Sequence, residues 1–249
     1  MSNSELTPQD FRQRPAVIRA VENPWSPRSV INYLCGCDTE DPEIRSRLSA
    51  DRYVSPLITI WFQSGTALDD FCQPFAAVVR ELKAEPPTLV GELWDSVEGK
   101  VAKVLLADQV SRSCFRGTAE AFSYDAIGRQ LVRELVRPDM RGDTLQLPAA
   151  ILYLLPWALA HSEDLDDLDR AVEFVDLSIR AYPDFKLFEE RNKPAIDQHR
   201  QVLKAFGRYP QRNREFGRIN TPVEQAWLDD TENLPIWAGG QGSFNQAID

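Results

Sequence analysis

Histidine is nearly absent from this chain of 249 residues, with only His161 and His199 present. Nitrogen ligands for a metal are correspondingly scarce. Cysteine is sparse too: Cys35, Cys37, Cys72 and Cys114. Cys35 and Cys37 enclose a single residue, not the two of a redox motif or zinc knuckle, and no second close pair completes a four-thiolate site. The thiols are therefore expected to be reduced and mostly buried. The 12 glycines include no G-x-G-x-x-G and no G-x-x-x-x-G-K-[ST], which argues against a nucleotide-binding α/β fold. Basic residues are outnumbered, 28 Lys and Arg against 38 Asp and Glu, for a net charge of −10. A nucleic acid or an anionic membrane needs a basic footprint, so neither is expected as the main partner. The longest apolar stretch, LQLPAAILYLLPWALA over 145–160, is shorter than the ~20 residues of a membrane span and holds Pro148 and Pro156. No basic start followed by an apolar run marks a leader, so the expected location is cytoplasmic. A G-x-S-x-G elbow is missing, and no cysteine carries a local histidine signature, which disfavours covalent hydrolysis.

What is present is helical periodicity. Val97, Val101, Val104 and Asp108 recur at helical spacing and lead into Arg112. Phe122, Ile127, Leu131 and Leu135 form an apolar face that Thr118 can cap and Pro138 stops. Leu165, Leu168, Val172, Val175 and Ile179 step by three and four. A further segment carries Ile196, His199, Val202 and Leu203, with Gly207 as its stop. Thr221-Pro222-Val223-Glu224 combines an N-cap, a first-turn proline and a capping-box glutamate. Strand-like alternation is confined to pieces such as 56–62, which read equally well as helix. The fold class expected is all-α, a single domain over 28–230 of antiparallel neighbouring helices. An extended arm punctuated by Pro8, Pro15, Pro24 and Pro27 is expected over 1–27, and a glycine-rich flexible tail over 231–249.

Three segments carry the candidate chemistry. In 104–125, Asp108 and Arg112 lie four apart on an apolar helix face, which implies a structural or cleft-lining ion pair. Arg116 follows in a loop beside a helix start, a place that suits an anion or carbonyl oxygen. In 157–169, His161 ends the apolar helix and Glu163 opens the next. The acids there are explained by the helix dipole, or they orient a histidine acid–base. The run Asp166-Asp167-Leu168-Asp169 resembles the aspartate-rich metal motif of terpene cyclases, but Leu165, Leu168 and Val172 set the buried face, so a solvated acidic face is expected and no metal. In 204–218, Lys204, Arg208, Arg212, Arg214 and Arg218 face one Glu215 and call for carboxylates near His161, Asp108, or an anionic ligand. His199, on an apolar helix face, reads as a satisfied core histidine.

With these blocks in view, the chain resembles the domain of unknown function 924 family, which has a tetratricopeptide-like helical fold. The resemblance rests on LLADQVSRSCFRGTAEAFSYD, LPWALAHSEDLDDLDRAVEFV and FGRYPQRNREFGRINTPVEQAWL, with Trp61-Phe62 upstream. The family usually reads L-L-D-Q-F-P-R-N in the first block; here Ala107 precedes Asp108-Gln109, Val110 and Ser111 replace Phe-Pro, and Ser113 replaces the asparagine. This marks a divergent member. The resemblance implies a helical array with a concave face lined by Asp108, Arg112, Arg116, His161, Glu163, Arg208, Arg212 and Asn213, and it points toward natural-product, terpenoid-like chemistry. With 12 Phe, 6 Trp and 6 Tyr available, the expectation is a cofactor-free enzyme that cyclises or isomerises a small apolar molecule bearing a carbonyl or carboxylate, an intramolecular Diels–Alder closure being its most concrete form. Arg112, Arg116, His161 and Glu163 are its expected catalytic groups. Asp108, Gln109, Tyr153, Trp157, Arg208, Arg212 and Asn213 are its expected substrate-binding groups. The alternative is a non-catalytic scaffold whose groove grips a peptide.

Overall fold

The structure, a computed structural model, describes residues 6–238. No strand occurs among them, and the architecture is all-α. Its centre is the helix Ala149–Ala160, every residue of which is buried. An apolar moment has no meaning for such a helix, because it is enclosed on all sides. The helices Val97–Leu105, Asp125–Leu135, Leu165–Ala181 and Lys193–Phe206 pack around it, and Pro27–Cys35 packs on the outer side of Val97–Leu105. Most of these partners are neighbours in chain order, so the array is built from local pairings. A smaller apolar cluster of Leu168, Val202, Leu203 and Tyr209 joins the C-terminal elements, with Phe206, Trp227 and Trp237 against it.

The extended arm expected over 1–27 is helical instead from Pro8 onward. Pro8–Arg12, Pro15–Glu22 and Pro27–Cys35 each begin on the proline that had suggested an irregular segment. A proline in the first turn lacks only an N–H that would have no partner there, and its fixed φ suits the helix. Thr7 and Asp10 complete a capping box, and Phe11, Val17, Val30 and Ile31 enter the main core. The tail expected over 231–249 lies partly outside the described residues. Its described portion runs through the short 3₁₀ turn Ile236–Ala238 and places the Trp237 ring flat on His199, 3.7 Å between centroids.

Other expectations stand in altered detail. The ambiguous 56–62 piece belongs to the helix Asp51–Gln63. Thr118 caps no long helix: the short 3₁₀ turn Ala119–Phe122 follows it without a side-chain cap, and the helix restarts at Asp125. Gly207 ends Lys193–Phe206 at φ 70, a left-handed conformation suited to glycine. Thr221 and Glu224 form the reciprocal capping box. Two π-helical turns, Leu106–Val110 and Phe188–Asn192, interrupt otherwise regular helical runs. Both face the same cavity. Of the acidic run, Asp167 is buried on Arg133 at 2.5 Å while Asp166 and Asp169 are exposed.

Candidate active site

The cavity between the central helix and its neighbours measures about 830 Å³ and opens to solvent. The helix Asp51–Gln63 contributes Trp61 and Phe62, the central helix Tyr153 and Trp157, and the helix Lys193–Phe206 His199. Phe62 and Trp157 stand 5.4 Å apart, and Tyr153 lies 6.4 Å from Phe62. These rings form an apolar side of the chamber wall.

The polar floor is set by the first π turn. There the Ser111 N–H reaches back five residues to the Leu106 carbonyl. The Ser111 hydroxyl donates to the Ala107 carbonyl at 2.6 Å, the acceptor that an α-helix would have given to the Ser111 N–H. Such a turn re-aims the side chains within it and is frequent at functional sites. Here it carries Asp108, which is 1% exposed. Asp108 Oδ1 lies 2.6 Å from His161 Nδ1, and Gln109 donates to Asp108 Oδ2 at 2.6 Å. Burial alone would raise the Asp108 carboxyl, but His161, Arg112 and Gln109 outweigh it and hold the pKa at about 2. An ionised Asp108 can only accept, so His161 Nδ1 carries the proton of this contact and the ring is held with Nε2 on its other side. His161 lines the cavity, and its Nε2 has no hydrogen-bond partner among the described residues.

Two guanidiniums compensate the carboxylates. Arg112 lies 2.8 Å from Asp125 and 3.5 Å from Asp108, and it donates to the Ala121 carbonyl at 2.5 Å. Arg212 sits 3.4 Å from Asp125 and donates to the His161 carbonyl at 2.8 Å. Both lie against the Phe122 ring, at 4.7 and 5.1 Å. Burial works against the Arg112 charge, yet Asp125 and Asp108 raise its pKa; for Arg212 burial prevails and lowers it. The two guanidiniums and the carboxylates of Asp108 and Asp125 thus balance one another beside an oriented imidazole.

Of the residues singled out in the sequence, Asp108, Gln109, Arg112, Arg116, Tyr153, Trp157, His161 and Arg212 line the chamber. Arg116 is also a structural anchor, gripping Asp69 at 2.6 and 2.9 Å and the Gly65 carbonyl at 2.9 Å. Glu163, Arg208 and Asn213 lie outside the lining. Glu163 accepts from the Tyr209 N–H at 2.9 Å and pairs with Arg218 at 2.8 Å, so it organises the following loop rather than facing the chamber. Arg208 is clamped by Glu224 at 2.6 Å, and Asn213 donates to Asn220 at 2.8 Å. The Arg208 guanidinium is thus consumed locally, whereas Asn213 Oδ1 is buried without a hydrogen-bond partner among the described residues.

Sequence reasoning missed Asp125, whose side chain joins Arg112 to Arg212, and the cavity role of His199. The His199 Nδ1–H donates to the Ala195 carbonyl at 2.7 Å, as a satisfied core histidine should. Its ring nevertheless lines the chamber 5.9 Å from His161. Burial and the neighbouring His161 push its pKa down to about 3, so it stays neutral. Among the described residues no group of three or more His, Cys, Asp or Glu could hold a metal ion. No described helix is long and apolar enough to cross a membrane.

Fold and site together define an all-α protein with a chamber of small-molecule size and an aspartate-oriented histidine in its wall. The chain belongs to the family described as bacterial protein of unknown function (DUF924), which matches residues 54–232. It is similar to the structure of a protein of unknown function from Agrobacterium tumefaciens, at 29% identity and a TM-score of 0.51, over 68% of this chain and 88% of that one. No curated protein matches. The whole polar floor falls within the family segment, whereas Phe11, Val17 and Val30 add core from outside it.

Proposed function

We propose that the chain is an enzyme of small-molecule metabolism that isomerises or cyclises a largely apolar carbonyl compound by proton transfer. The observation that carries this reading is the Asp108–His161 pair at 2.6 Å, with His161 Nε2 left to the chamber. In this reading His161 Nε2 takes a proton from the carbon beside the carbonyl. Asp108 stabilises the imidazolium that forms. Arg112 and Arg212 favour the negative charge developing on the carbonyl oxygen. The proton then returns at another carbon of a conjugated system, which completes an isomerisation, or the enolate carbon adds to a second carbonyl carbon of the same molecule, whose C=O π bond breaks and whose oxygen takes the proton back from His161, which closes a ring. A concerted Diels–Alder closure needs only a held conformer and would leave the oriented histidine idle. The pair therefore favours proton transfer over the concerted closure expected from the sequence.

One observation favours the scaffold alternative. The mouth of the chamber is open, and Gln63, Glu190, Arg191 and Gln198 at its edge are exposed. A peptide could rest on such a rim. Native mass spectrometry of freshly purified protein separates the readings. A co-purifying small molecule that is lost in His161→Gln and Arg112→Ala variants of unchanged circular dichroism supports the enzyme. A peptide adduct that survives His161→Gln contradicts it.

A further inference from the structure

A second, smaller hollow adjoins the main chamber. It measures about 90 Å³; polar and apolar groups share its wall, with Phe11, Leu34, Ile60 and Leu68 forming the apolar side. Trp61, Phe62, Gln109, Ser113 and Arg116 line both spaces, so the two meet at a common neck. The neck is polar on one side: Gln109 and Ser113 stand there, and the Ser113 hydroxyl makes no hydrogen bond among the described residues. The Trp61 ring is pinned by its Nε1–H, which donates to the Leu34 carbonyl at 2.8 Å. The neck is also next to the chemistry, because Gln109 donates to the carboxylate that orients His161.

We propose that the side hollow is a specificity subsite for the short apolar arm of an unequal-armed carbonyl compound. Ser113 meets the carbonyl at the neck, and the long arm lies against Phe62 and Trp157 in the main chamber. This deepens the reading of the chamber as a carbonyl site and rests on it. Size sets the arm: a dry cavity of about 150 Å³ accepts benzene, so about 90 Å³ holds about three carbon atoms. An arm of ethyl to propyl fits. Methyl leaves the hollow underfilled, and a fourth carbon strains it.

The four straight-chain nonanone isomers test this, because they share one composition and differ only in where the carbonyl divides the chain. Binding to the full chain is read by Trp fluorescence and calorimetry. The expected affinity rises from 2-nonanone to 4-nonanone, by about fourfold per carbon at most, the worth of a buried methylene, and drops at 5-nonanone. Ile60→Ala, which enlarges the hollow, is expected to move the optimum to 5-nonanone. Ser113→Leu, which plugs the neck without touching the core, is expected to flatten the series. Equal affinities for all four isomers in the unmodified protein, absence of binding, or an optimum unmoved by Ile60→Ala would overturn the subsite. Exchange of the protons beside the carbonyl for deuterium, followed by NMR in the same samples, reports proton transfer separately. An arm-length optimum without exchange keeps the subsite and refutes the catalytic reading; exchange without an optimum does the reverse.

Discussion

Asp108 holds the site together, because its two oxygens orient His161 and secure Gln109 while its charge faces Arg112. Asp108→Asn keeps the size but puts an amide opposite His161 Nδ1, which favours the tautomer with the proton on Nε2. The account predicts a loss of about 10²–10⁴-fold in proton exchange at unchanged ketone affinity, measured by NMR and calorimetry. Glu163→Gln, by contrast, should leave the exchange rate as it was. His199 gives a stability prediction with a definite sign. Its folded pKa is depressed to about 3, so between that value and its ordinary 6.5 the unfolded chain binds the proton and the folded one does not. Stability therefore falls as pH drops below 6.5, by about 1.4 kcal/mol per unit from this group. Thermal melts between pH 6.5 and 5 should show that slope, and His199→Gln should remove it. An unchanged slope in the variant would reject the assignment. His161, Asp108 and the arginines were legible as residue types in unusual apolar or clustered contexts. Their pairing was not, because Asp108 and His161 are separated by a whole helix and loop, and the nearer acids Glu163 and Asp164 offered a cheaper partner.

At the scale of elements, the helices with full periodicity were readable, as Leu165–Ala181 and the Thr221 capping box show. The N-terminal helices were not. Pro15–Glu22 is too short to display a period, and a proline between polar residues marks a helix start and an irregular segment equally well. The π turn at Leu106–Val110 was also hidden, since its extra residue shows only in which carbonyl each N–H chooses. Close approach of elements yields a prediction of its own. Gly99 in the helix Val97–Leu105 lies so near the preceding turn that a Cβ would stand 2.2 Å from the Leu93 carbonyl oxygen and 2.5 Å from Trp94 backbone. Backbone cannot yield as a side-chain tip can, so Gly99→Ala should cost about 3 kcal/mol, the upper end of overpacking. That corresponds to a fall in Tm of about 6 °C or more for a chain of this size. A melt within a degree of the parent would contradict the packing described.

The whole molecule joins its layers through buried charge as well as apolar packing. Asp167, 0% exposed, links the helix Leu165–Ala181 to Asp125–Leu135 through Arg133 at 2.5 Å. Arg133→Ala strands that carboxylate in the core and should destabilise by about 3 kcal/mol, read by urea unfolding, whereas Arg133→Ala with Asp167→Leu should recover most of the loss. The chamber is a product of the same assembly: its walls come from helices, two π turns and the C-terminal Trp237, elements spread from Asp51 to Ala238. Such a space is invisible in any one segment, which is why a common concave face was expected only from the family resemblance and three of its expected residues, Glu163, Arg208 and Asn213, fall outside the lining. The central claim is that this cavity presents His161 Nε2 to a carbonyl compound as an oriented base. Deuterium exchange of 4-nonanone in D₂O tests it most directly, followed by NMR with the unmodified chain and with His161→Gln of matched circular dichroism. Exchange well above the buffer rate that vanishes in the variant is the predicted result. Buffer-rate exchange by the unmodified chain with the ketone demonstrably bound, or equal rates in both proteins, would contradict the claim.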